Sequence, residues 1–128
     1  RHVPDFTGLV GLAANRASYI MLPIPQGSEI DSGGAAHDGT EPDDAWGVFS
    51  GTSAAAPQLA GVCALLLEKD PSLTPSDIKG ILSRTARDVT EGEANAASNE
   101  GVALKASPGP DGATGAGLVD AYEALQQV

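Results

Sequence analysis

The stretch SGTSAAAPQLAGVCALLLE, residues 50–68, sets a single hydroxyl, Ser53, between a Gly-Thr turn and three alanines, then runs into an apolar segment. Pro57 has no N–H, so a helix accepts it only where no backbone bond is lost, in about its first turn. A helix therefore begins within a few residues of Ser53, and Pro71 predicts its end near Lys69-Asp70. From Leu59 to Leu67 nearly every position is apolar or small, which predicts a helix buried on all sides. Cys63 falls inside that run and reads as a small core residue.

A helix start offers free backbone N–H groups and a partial positive charge. At Ser53 that end could do two things. The hydroxyl could cap the helix, the commoner use of serine there. Or it could attack a carbonyl while its own N–H steadies the oxyanion that forms. Gly51 permits a turn that other residues resist, and Ala54 to Ala56 leave room above the hydroxyl. The residue types fit both readings.

The surroundings are those of one folded domain. The chain has 128 residues, 41% of them hydrophobic, with plentiful Gly, Ala and Pro. The longest apolar run, Val62 to Leu67, is far short of the roughly 20 residues of a membrane span. Seventeen acidic residues against seven Lys and Arg give a net charge of −10, which repels a phosphate backbone. Neither nucleic acid nor a membrane is an expected partner.

Upstream of the serine, Val3-Pro4-Asp5-Phe6 and Ala17 to Leu22 read as strands, the second ended by Pro23. Residues 25–47 read as an acidic loop carrying Glu29, Asp31, Asp38, Glu41, Asp43 and Asp44. That loop could border a substrate cleft or hold a structural calcium through carboxylate oxygens. The residues favour the plainer alternative, a solvated insertion. Downstream, Thr74 as cap, Pro75 at the first position and Asp77 in the first turn announce an amphipathic helix. Its inner face is Ile78, Ile81, Leu82 and Thr85. Residues 91–116 are turn-rich, and Asp120 caps a short final helix with Ala121, Ala124 and Leu125 inward.

Read together, SGTSAAAPQLAGVCALLLE, LTPSDIKGILSRTARDV (73–89) and GAGLVDAYEAL (115–125) resemble the subtilisin-like serine peptidases. That family runs Gly-Thr-Ser, small residues, Pro and an apolar helix, then a helix with Thr-Ala near its end, then a glycine pair before a short helix. Val3-Pro4-Asp5-Phe6 is similar to the Pro-Asp strand that precedes the serine. Where the family continues with Ala-Pro-Gly, this chain has Thr7-Gly8-Leu9-Val10-Gly11, and its insertion before Ser53 is longer than in compact members. The resemblance implies an α/β fold, the C-terminal portion of a parallel sheet flanked by helices over residues 1–128. It implies Ser53 as nucleophile and backbone oxyanion donor, with Gly51, Thr52 and Pro57 shaping the signature turn. No cofactor is implied beyond the calcium reading.

The same resemblance implies an aspartate, a histidine and an oxyanion asparagine well before the serine, and no position here matches them. His2 and His37 are the only histidines. His37, in AAHDGT, has Asp38 between it and the Gly-Thr, lies too near the serine and reads as a solvated loop residue. Asn15 lacks the family setting. The expected partners are therefore a peptide or protein substrate and an N-terminal portion of the same peptidase. An inactive peptide-binding or structural module on the same scaffold is the alternative.

Overall fold

A computed structural model describes residues 4–11, 19–94 and 101–128, with the backbone alone over 34–38. Two compact units arise, residues 9–58 and residues 1–8 with 59–128. Val3 and Ala17-Ser18 of the expected strands, His2 and Asn15 lie outside the described residues.

In the 9–58 unit, β1 (Ile20–Pro23) pairs antiparallel with β2 (Trp46–Phe49), Ile20 opposite Phe49 and Pro23 opposite Trp46. Of the expected strands, Pro4 to Phe6 forms no strand, whereas Ile20 to Leu22 is present and runs on through Pro23. Its partner WGVF was not expected to be a strand, being too short and interrupted by Gly47 to show an alternating pattern. Between them the expected loop is largely helix, α1 (Glu29–Asp38). This corrects the reading of 25–47 as irregular throughout. The Ser28 hydroxyl accepts the N–H of Asp31, and Gly39 closes the helix in the left-handed conformation at φ 91. These ends outweigh the poor helix propensity of its paired glycines.

Asp31 explains why the segment folds. It is fully buried, although it was expected in solvent with its acidic neighbours. One carboxylate oxygen accepts the N–H of Gly27 at 2.8 Å and the other that of Ala45 at 3.1 Å. The carboxylate thus ties the start of α1 to the residue entering β2. The other acids organise the same loop. Ser32 donates to Asp43, and Asp44 accepts from the N–H groups of Glu41 and Trp46.

The chain then enters α2 (Thr52–Lys69), which begins and ends as expected. Pro57, however, is its sixth residue and not in its first turn. The missing N–H is the one that would have bonded the Ser53 carbonyl, four residues back. Nor is α2 buried on every side. Ala54, Ala55 and Leu66 are buried, but Ala60, Gly61 and Ala64 are exposed and Leu65 keeps 46% of its surface. The apolar pattern marks a face that this chain alone does not cover. Among the described residues no helix is long and apolar enough to cross a membrane.

The other unit has its core at Leu66, Ile81, Leu82 and Ala124, with Phe6, Val62, Cys63 and Ile78 packed around them. α3 (Pro75–Thr85) starts as anticipated. Thr74 accepts the Asp77 N–H, and Asp77 accepts the Thr74 N–H in return. α4 (Ala121–Leu125) is capped by Asp120. Leu118 sits between Thr7, in parallel, and Arg87, antiparallel. Among the described residues that bridge is the one parallel pairing, where a parallel sheet was expected. Gly117 makes it fit, since at φ 113 a Cβ would lie 2.2 Å from the Arg87 carbonyl oxygen. The turn-rich stretch also holds a short ladder, Glu93 opposite Lys105.

Candidate active site

The site is built on the turn that launches α2. Gly51 has φ 140, a conformation closed to side-chain-bearing residues. Its carbonyl accepts the N–H groups of Ala54 at 3.0 Å and Ala55 at 3.3 Å, closing the first turn. Ser53 is the second residue of the helix and is exposed. Its N–H and hydroxyl have no hydrogen-bond partner among the described residues. The hydroxyl therefore does not cap its own helix here. It stands with a free N–H at the positive end of an 18-residue helix.

Small neighbours keep that hydroxyl accessible. Ala54 and Ala55 turn inward and are buried, and Ala56 follows with only a methyl group. Facing the turn from the same unit is the segment Leu9-Val10-Gly11. The Gly51 N–H donates to the Val10 carbonyl at 2.7 Å, and the Ser50 hydroxyl to that of Gly11 at 3.2 Å. The Gln58 amide donates to the carbonyls of Leu9 at 3.1 Å and Ala54 at 2.7 Å. Neither Ser50 nor Gln58 stood out in the sequence. Nothing in their local pattern marks a side chain whose partner lies some forty residues away.

The structure thus brings Gly51, Thr52 and Ser53 into one turn, with Pro57 in the next. It does not bring an imidazole to them among the described side chains. His37 falls on α1, within what was read as loop, and its side chain is outside the described atoms. The carboxylates with perturbed acidity are also elsewhere. Asp70, Asp77 and Asp111 are held below the ordinary value by hydrogen bonds of their own turns, and Asp120 first by the side chain of Arg87. Among the described residues no group of three or more His, Cys, Asp or Glu side chains is arranged to hold a metal ion.

The turn and the helix it launches lie inside a stretch that matches a known protein family. The model of the subtilase family matches residues 17–117. The chain belongs to the subtilase family. Subtilisin from Bacillus pumilus is 37% identical over 81 residues, which are 62% of this chain and 28% of that protein. The subtilisin-like protease SBT2.3 of Arabidopsis thaliana is 47% identical over 53 residues, 41% of this chain and 6% of that one.

Solved structures agree on the fold. Fervidolysin from Fervidobacterium pennivorans, a keratinolytic enzyme related to subtilisin, superimposes with a TM-score of 0.59 at 30% identity. The match covers 84% of this subtilase chain and 14% of fervidolysin. A lanthipeptide protease matches 92% of this chain and 32% of its own length, with a TM-score of 0.63 at 23% identity. The chain is an α/β piece of a subtilisin-like fold, spanning roughly a quarter of the Bacillus pumilus relative.

Proposed function

We propose that this chain is the C-terminal portion of a serine-type endopeptidase in which Ser53 is the nucleophile. The observation that carries the reading is the exposed hydroxyl of Ser53, with its own N–H free, at the head of α2. In a subtilase, a serine in this setting has a use that a plain helix cap does not.

The chemistry follows from the placement. The Ser53 hydroxyl adds to the carbonyl carbon of a peptide bond while an imidazole takes its proton. The carbonyl oxygen becomes an oxyanion, and the Ser53 N–H donates to it. Collapse of the tetrahedral intermediate returns the proton to the departing amine and leaves an acyl group on Ser53. Water, deprotonated by the same imidazole, then releases the acid and restores the serine. The imidazole, the aspartate that orients it and the asparagine that completes the oxyanion site come from an N-terminal portion of the peptidase. Supporting that division, the exposed stripe Pro57, Ala60, Gly61 and Ala64 is apolar and flat enough for close packing by further chain.

The test is labelling of the full-length protein with a fluorophosphonate. Labelling that disappears in Ser53→Ala is the expected result. No labelling, or labelling that survives the substitution, refutes the reading.

A further inference from the structure

The three carbonyls of Leu9, Val10 and Gly11 are engaged one after another by Gln58, Gly51 and Ser50. All three donors flank Ser53. Side-chain burial does not explain why this segment lies there, because Leu9 keeps 57% and Val10 38% of its surface exposed. Polar bonds hold it. Within that set Gln58 is distinctive, since its amide nitrogen reaches two chain segments at once. Its two protons go to Leu9 in the segment and to Ala54, the residue after the serine.

Pro57 makes this more consequential. With no N–H at position 57, the Ser53 carbonyl lacks its helical partner, so the turn bearing the serine is short of one bond. Gly51, two residues before Ser53, is tied to Val10, and Ala54, one residue after it, is tied through Gln58 to Leu9. The serine is thus clamped on both sides to the same short segment.

We infer that Gln58 is a positioning residue for Ser53, its amide fixing the first turn of α2 against Leu9-Val10-Gly11 so that the hydroxyl is presented at one place. This rests on the proposed role of Ser53. Displacing a reacting atom by about 1 Å costs on the order of 100-fold in rate, so loss of one of several ties costs about 10-fold.

The experiment compares full-length parent, Gln58→Met and Gln58→Lys, each titrated with a fluorophosphonate and assayed on a peptide substrate. Met keeps the length of the side chain and loses its donors, whereas Lys keeps donors. The inference expects kcat per titrated serine to fall about 10-fold in Gln58→Met with KM within about twofold, and Gln58→Lys to recover most of the loss. Counting only titrated serines removes any unfolded fraction from the comparison. An unchanged kcat per titrated serine in Gln58→Met, even with a lowered melting temperature, makes Gln58 merely structural and overturns the inference. So does a loss that Gln58→Lys fails to recover. A parent with no titratable serine overturns this inference together with the proposed function, an outcome distinct from the other two.

Discussion

Ala45 is held at φ 66, a left-handed conformation that costs a residue with a side chain about 1–2 kcal/mol. It stays there because its N–H donates to buried Asp31 and its carbonyl accepts the N–H of Ile24. Glycine occupies this region freely but loses more entropy on folding, so the two effects partly cancel. Ala45→Gly is expected to stabilise the protein by about 0.5–1 kcal/mol, read as a raised midpoint in urea unfolding. Alanine has no signature for such a position, which is why nothing in the sequence pointed to it. Ser53 differs. Its neighbours Gly51, Thr52 and Pro57 carry the family resemblance that singles it out, although the residue types alone fit a helix cap as well.

Among elements, those with strong end signals were legible and those held by distant partners were not. α3 announced itself through Thr74, Pro75 and Asp77, and α4 through Asp120. The start of α1 also carries a signal, Ser28 three residues before Asp31, but the surrounding glycines and acids obscured it. The stability of α1 depends on Asp31. Replacing it with alanine removes two charge-assisted bonds and leaves the N–H groups of Gly27 and Ala45 unsatisfied. Asp31→Ala is expected to cost about 3 kcal/mol or more, and limited proteolysis is expected to cut first within residues 24–45.

The caps also set a pH dependence. Hydrogen bonds from Thr74 hold Asp77 below its ordinary value of 3.8, and those from Ser72 do the same for Asp70. Asp120 is lowered by Arg87, and Asp111 by the N–H of Thr114. Each group binds its proton less readily when folded, so its stabilising effect is present above 3.8 and fades as pH falls through the lower folded value. The melting temperature is expected to hold from neutrality to about pH 5 and to drop below about pH 4. A flat profile down to about pH 2 contradicts these bonds.

For the whole molecule, α2 is the element whose sequence and surroundings disagree. Its composition is that of a helix enclosed on all sides, yet Leu65 and Leu67 are 46% and 38% exposed in this chain. The disagreement is physical, because a hydrophobic pattern records every surface a helix meets, including surfaces supplied by other parts of a protein. The parallel sheet implied by the resemblance is likewise not formed among the described residues, where β1 and β2 pair antiparallel and Thr7 opposite Leu118 is the one parallel bridge. Leu65→Asp separates the cases. If further chain covers α2, the substitution buries an unpaired charge and costs the full-length protein about 3 kcal/mol or more. If Leu65 faces water, the change stays within about 0.5 kcal/mol. A thermal or urea melt of the full-length protein gives the answer, and the larger value is expected.

The most direct measurement is peptide mapping by mass spectrometry after the full-length protein has reacted with a fluorophosphonate. The account predicts one phosphonylated peptide, with the added mass on Ser53 and on neither Ser50 nor any other hydroxyl. An adduct on a different residue, or an unmodified protein under conditions that label an active serine peptidase, contradicts it.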